Sequence, residues 1–145
     1  MKYLAIMAAL AATPAWAEFV AEDQTPTGKF TTAAEVKQIL ELTKAQWIAV
    51  REYEGNDLVY FSQLLGWRCG LHQILYSVNG GEMQEWEMPD CQHDMSTPNA
   101  IPNEQVLMIY KSYPLNSVKT VDVEVLLDDM SEMSASFERK DVMIP

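Results

Sequence analysis

The soft metal ligands of this chain gather between residues 83 and 95. Met88, His93 and Met95 lie there, and thioether sulfur and imidazole nitrogen suit Cu(I). A periplasmic copper-binding protein that uses these three residues is therefore one hypothesis. Two points weaken it. Met83 and Met88 differ in strand parity, which places them on opposite faces of a strand, and methionine is also an ordinary core residue.

The histidines, His72 and His93, offer acid–base chemistry. A small hydrolase that pairs one of them with a carboxylate is a second hypothesis. His72, however, falls on the apolar face of a predicted strand, where histidine is typically a partly buried structural residue. The acidic pair Asp128 and Asp129 falls in a predicted hairpin turn, which indicates solvated turn residues.

The sequence lacks the motifs of serine hydrolases and zinc proteases, and it lacks phosphate-binding and dinucleotide-binding glycine loops. This favours a non-catalytic protein. For the same reason, we predict neither a cofactor nor a resident metal.

Cys69 and Cys91 are the two cysteines. In an oxidising compartment an isolated pair typically forms a structural disulfide. The bond would fasten segment 89–103, a long irregular connection with three prolines, to the body of the protein. Long ordered loops in compact domains are often functional, so this loop is the first candidate for a binding site.

Aromatic and cationic residues near this disulfide are candidates for contact with a ligand or partner. Arg68 follows Trp67 directly and could stack on Trp67 or Trp86. Such a surface would suit an acidic or aromatic group. The structural alternative is a tryptophan packed over the disulfide and shielded by the arginine. The predicted contact residues are Trp67, Arg68, Trp86, His93 and Tyr110.

Periodicity predicts the elements that position these residues. Segment 18–30 reads as an extended arm. Thr32 and Glu35 form a capping box, and apolar residues at helical spacing follow them, so we predict an amphipathic helix over about 33–46.

Alternating or β-rich segments predict six to seven antiparallel strands after the helix. The predicted class is α+β, with the helix packed on an antiparallel sheet; the alternative is a small β-sandwich with a covering helix. Residues 31–145 would form one domain. The predicted strands are 47–53, 58–65, 71–78, 82–88, 106–112, 121–127 and 133–137.

The first seventeen residues have the organisation of a secretory signal peptide. Lys2 precedes the apolar run 3–12, Pro14 interrupts it, and Ala15 and Ala17 provide the small residues of a cleavage site. We therefore expect cleavage after Ala17 and export to the periplasm or the medium.

The charge balance restricts the partners. The chain has a net charge of −11, and loss of Lys2 with the leader makes it one unit more negative. Nucleic acids and anionic lipids would be repelled, whereas basic proteins and cations are permitted. No segment after the leader reaches the roughly 18 apolar residues of a membrane span. The sequence thus favours an exported, non-catalytic binding or accessory domain that contacts a protein or small ligand through its disulfide-pinned loop.

Overall fold

A computed structural model describes residues 18–145 of the chain. The predicted leader, residues 1–17, lies outside the described residues. Among the residues described, no helix combines the length and apolar character needed to cross a membrane.

Over residues 18–145 the fold is α+β, with seven strands divided between two antiparallel sheets. The class and the strand number agree with the prediction. Three short helices accompany the strands: α1 (Ala33–Leu42), α2 (Ser62–Leu65) and α3 (Arg139–Val142). The strands are β1 (Ala49–Tyr53), β2 (Asn56–Tyr60), β3 (Leu71–Val78), β4 (Gln84–Glu85), β5 (Tyr110–Pro114), β6 (Thr120–Leu127) and β7 (Glu132–Glu138).

Helix α1 begins as the capping box predicts. The Thr32 side chain accepts a hydrogen bond from the Glu35 backbone N–H, and the apolar face of the helix, which includes Val36 and Leu40, is fully buried. The α-helix ends at Leu42, four residues earlier than predicted. Thr43 caps it there, because its hydroxyl donates to the Ile39 carbonyl at 2.7 Å and competes with continuation of the helix.

The three-stranded sheet has the order β1-β2-β5. Its first hairpin turns through Glu54 and Gly55, both at positive φ (49° and 78°), as a two-residue type I′ turn requires. The predicted strand 58–65 ends at Tyr60, and α2 follows it.

The predicted strand 106–112 is wrong over its first half. Residues Asn103–Ile109 form a 3₁₀ helix, and strand β5 begins at Tyr110. Val106 and Leu107 suggested a strand because of their composition, yet they are 48% and 70% exposed and bury no strand face.

The four-stranded sheet has the order β4-β3-β6-β7. Strand β3 has the predicted bounds, and the β6–β7 hairpin also forms as predicted. Segment 82–88 lies at the sheet edge, as expected, but it pairs with β3 only through Gln84 and Glu85.

One apolar core joins α1 to residues of both sheets. An aromatic cluster lies within it: the Phe61 and Trp86 rings stack 3.9 Å apart, and Tyr76 meets the Trp86 ring edge-on at 5.2 Å. This core fixes the start of β3 and the 3₁₀ turn Arg68–Gly70 before it, from which the candidate site is built.

Candidate ligand-binding cleft

A cleft of about 750 Å³ lies between the N-terminal arm and the disulfide-pinned loop. Arm residues between 22 and 27 form one wall, and loop residues between 88 and 93 form another. Cys69, Leu71 and His72 contribute at the start of β3. The cleft lies beside the long loop, the segment that the sequence makes the first candidate for a binding site.

The predicted disulfide is present. Cys69 and Cys91 are bonded, with their Cα atoms 5.2 Å apart. Both cysteines line the cleft, so the crosslink joins the loop wall to the 3₁₀ turn before β3.

Arg68 holds the same loop by hydrogen bonds. Its side chain is buried, with 2% exposure, and each of its five N–H groups donates to a backbone carbonyl. Four acceptors belong to segment 89–103, and the fifth is the last residue of α2. The acceptors are the carbonyl oxygens of Pro89, Asp90, Asn99, Ala100 and Leu65.

This arrangement determines what Arg68 can do. Burial lowers the pKa of its guanidinium from the ordinary value, and the nearby Asp90 charge opposes that shift. All its donors are occupied by main-chain oxygens, so the side chain has none left for an incoming ligand. Arg68 therefore has a structural role, and it fulfils that role by binding main-chain carbonyls of the loop.

Asn99 completes the attachment of the loop. Its carbonyl accepts from Arg68 at 2.6 Å, while its side-chain oxygen accepts from the Cys69 backbone N–H at 2.8 Å. Its side-chain nitrogen donates to the Phe30 carbonyl at 2.8 Å. One residue thus joins the loop, the 3₁₀ turn and the end of the arm.

The arm is fastened through the N-terminus of α1. The Ala33 N–H donates to Asp128 Oδ1 at 2.7 Å, and the Ala34 N–H donates to Gln24 Oε1 at 2.9 Å. Gln24 Nε2 also donates to Asp128 Oδ1. With the Thr32 hydroxyl as the cap for Glu35, the N–H groups of Ala33, Ala34 and Glu35, which no helical turn can satisfy, all have acceptors.

Asp128 therefore corrects the sequence prediction. It was expected to be a solvated turn residue, yet it is 5% exposed. It binds the arm and the helix through its side chain, and its backbone N–H donates to the Gly70 carbonyl. Its neighbour Asp129 pairs with Lys37 at 2.8 Å and is partly exposed.

The cleft brings His72 and His93 into one lining. His72 Nε2 lies 2.7 Å from the Val20 carbonyl, and the Phe19 ring stacks on the imidazole at 4.9 Å. These contacts engage His72 in holding the arm. His93 is exposed on the loop wall.

Carboxylates dominate the charged lining of the cleft. Hydrogen bonds from the backbone and hydroxyl of Thr25 lower the pKa of Asp23 below its ordinary value, so Asp23 is ionised at neutral pH. The one cation in the lining, Arg68, is fully engaged by carbonyls. The acidic lining residues are Glu22, Asp23, Asp90 and Asp128.

The other predicted contact residues do not converge on this cleft. Trp86 is 1% exposed, and its Nε1 donates to the Met108 carbonyl. Tyr110 lies on the three-stranded sheet, with its ring 5.4 Å from that of Tyr60. Trp67 is partly buried, packs edge-on against Phe30 and is not part of the lining.

The positions of the predicted copper ligands give little support to the copper hypothesis. Met88 and His93 line the cleft, whereas Met95 is 53% exposed and is not part of the lining. Both cysteines are oxidised. Within residues 18–145, no group of three or more His, Cys, Asp or Glu residues is arranged to hold a metal ion.

Sequence reasoning missed Gln24, Asn99 and Asp128. Each acts through partners far along the chain; Gln24 and Asp128, for example, are 104 positions apart. An amide or carboxylate in a turn gives no local signal for such a contact. The unusual feature that was visible, an arginine next to a cysteine, was interpreted for its charge rather than for its five donors.

Comparisons with protein-family models, with curated proteins and with solved structures found no match to this chain.

Proposed function

We propose that this chain is an exported, non-catalytic binding domain that holds a basic segment of a partner protein in the cleft between its arm and its pinned loop. The observation that carries this proposal is the construction of the loop wall. A disulfide and a fully engaged arginine hold the wall in place, and a binding surface fixed before the ligand arrives loses less entropy on binding.

The negative charge of the cleft lining favours a positively charged ligand. Four acidic residues are part of the lining, and the chain as a whole is strongly acidic. A lysine- or arginine-rich segment would gain from the local carboxylates and from long-range attraction during encounter. A disulfide is also consistent with an exported protein, and the predicted leader supports the same compartment.

Isothermal titration calorimetry with a matched pair of peptides tests the proposal. One peptide carries lysines, and the other carries glutamates at the same positions. We expect measurable affinity for the lysine peptide that weakens as salt is raised, and none for the glutamate peptide. Equal binding of both peptides, or binding of neither, would contradict the proposal.

Charge-neutral variants locate the interaction. Asp23→Asn and Asp90→Asn each remove one cleft charge and keep an oxygen acceptor for the existing hydrogen bonds. Each should weaken binding of the lysine peptide about fivefold, because a close pair of charges contributes on the order of 1 kcal/mol in water. Asp94→Asn is the matched control: Asp94 is exposed on the same loop but is not part of the lining. An equal loss in the control would place binding outside the cleft.

A further inference from the structure

A second, smaller cavity lies beside the later part of the pinned loop. Its volume is about 220 Å³, and it is lined by residues 28–30 of the arm, by Trp67 and by residues 96–100 of the loop. The space suits a group the size of a single aromatic ring.

Phe30 forms one wall of this cavity in an unusual backbone conformation. Its φ is +59°, a region that bulky residues rarely adopt, and its side chain is 43% exposed. The ring meets the Trp67 ring edge-on, with centroids 5.3 Å apart. Residues with strained backbones cluster at ligand-binding and switch sites.

Hydrogen bonds from Asn99 and Arg68 hold the cavity walls in position. Asn99 donates from its side chain to the Phe30 carbonyl and accepts from the Cys69 N–H. Arg68 binds the carbonyls of Asn99 and Ala100. The Phe30 side of the cavity and the loop residues that line it are therefore held in position without a ligand.

Lys29 is the charged side chain in this lining. It is exposed, and the ion pairs found among residues 18–145 do not include it. The Glu35 carboxylate accepts from the N–H groups of Gly28 and Phe30, on either side of Lys29 in the chain. The lining of the aromatic cavity thus includes a cation that forms no ion pair with the described residues.

We propose that this cavity binds one aromatic ring that bears a carboxylate, with the ring packed against the Phe30–Trp67 pair and the carboxylate at Lys29. Edge-to-face aromatic contacts would hold the ring, and the ammonium group would select the acid over its neutral amide. The same chemistry is offered by a free aromatic acid and by the C-terminal aromatic residue of a protein. This inference is independent of the acidic cleft, since the two sites share no described charged residue.

NMR titration of the leaderless protein tests the inference with phenylacetate, phenylacetamide and acetate as probes. The Trp67 indole N–H is the reporter, because the indole N–H groups of Trp47 and Trp86 are both bonded to backbone carbonyls. We expect phenylacetate to shift the Trp67 signal and to bind about fivefold more tightly than phenylacetamide. Acetate should leave the signal in place.

Two variants and a control separate this site from general effects. Lys29→Gln should abolish the preference for phenylacetate over phenylacetamide. Phe30→Gly, which suits the positive φ, should abolish binding of both while the rest of the spectrum is retained. Lys119→Gln, at an exposed lysine outside the lining, should change neither. Equal affinity for acid and amide, an unmoved Trp67 signal, or the same loss in the control would overturn the inference.

A final comparison identifies the source of the ligand. A short peptide that ends in phenylalanine with a free carboxylate is titrated beside phenylacetate. Tighter binding of the peptide supports a protein C-terminus, and tighter binding of phenylacetate supports a free aromatic acid. Binding of lysine peptides to the cleft is measured in a separate experiment, so a negative result at one site does not affect the result at the other.

Discussion

Two hydrogen bonds link Asn99 to Arg68 and to the residue that follows it, Cys69. Arg68 Nη1 donates to the Asn99 carbonyl at 2.6 Å, and Asn99 Oδ1 accepts from the N–H of the residue after Arg68 at 2.8 Å. The residues are 31 positions apart. The Cys69–Cys91 disulfide joins the same two segments. The loop is therefore attached both by hydrogen bonds and by a covalent bond, and each attachment can be removed separately by mutation.

Arg68→Lys should destabilise the fold by about 3 kcal/mol, since one ammonium cannot reach five carbonyls and leaves buried acceptors unpaired. Urea unfolding measures the loss. Arg51→Lys is the matched control: Arg51 lies over the Tyr53 ring at 4.7 Å on a half-buried strand position, and its replacement should cost less than about 1 kcal/mol. Equal midpoints for the two variants would show that the carbonyl contacts contribute little.

Removal of the disulfide by the double change Cys69→Ser and Cys91→Ser should cost about 3 kcal/mol on the loop-entropy account. Hydrogen exchange should quicken most in segment 89–103, at the Gln92 and Met95 N–H groups that bond within the loop. The β6–β7 hairpin should keep its protection. Uniform loss of protection along the chain would instead show that the crosslink supports the whole fold.

Asp128→Ala should destabilise the protein by about 2 kcal/mol, because it leaves the Ala33 N–H without its acceptor in a buried setting. Asp128→Asn retains an oxygen and should cost less. Asp129→Ala removes a partly exposed ion pair with Lys37 and should cost about 1 kcal/mol or less. The order of the three unfolding free energies is the result that matters; a larger loss in Asp129→Ala would refute the role assigned to Asp128.

Acid should weaken the attachment of the arm through Glu35. Partial burial opposes ionisation of this carboxyl, but hydrogen bonds from the N–H groups of Thr27, Phe30 and Gly28 and from the Thr32 hydroxyl outweigh it and lower the pKa to about 2. A lowered folded-state pKa stabilises the fold above the ordinary value of 4.5, and this stabilisation is lost as the pH falls from there toward 2.

Glu35→Gln should therefore unfold with a weaker dependence on pH between 4.5 and 2 than the parent protein. Some dependence remains, because the Arg139 hydrogen bonds lower the pKa of Asp57 to about 2 as well. Glu41→Gln, at an exposed position on the same helix, is the control and should follow the parent curve. Parallel curves for all three proteins would show that Glu35 contributes nothing to acid stability.

Local patterns were sufficient to predict much of the fold. Alternating apolar and polar residues predicted β3 and the β6–β7 hairpin because each strand buries one face. The capping box predicted the start of α1 because the Thr32 and Glu35 contacts span a single turn. The pattern failed at Asn103–Ile109, where apolar residues of high strand propensity remain exposed after Pro102. Strand propensity depends on the packing around a residue. In this segment the tertiary contacts favour a 3₁₀ helix over a strand.

The candidate site was predicted only in part. The disulfide and the importance of the loop follow from cysteine count and loop length, which are properties of the sequence itself. The role of Arg68 depends on five carbonyls, four of which are 21 to 32 positions away along the chain. Trp86, a predicted contact residue, is instead buried in the core. Composition does not distinguish an interface aromatic from a core aromatic, because both are selected for the same apolar area.

The central claim is that the cleft between the arm and the pinned loop is the binding surface. The most direct test is a two-dimensional amide NMR titration of the leaderless protein with the lysine-rich peptide. We predict shifts concentrated at the arm residues 22–27, at His72 and at the loop residues 88–93, with the three-stranded sheet unmoved. Shifts centred on that sheet, or none at peptide concentrations up to the millimolar range expected for weak binding, would contradict the account.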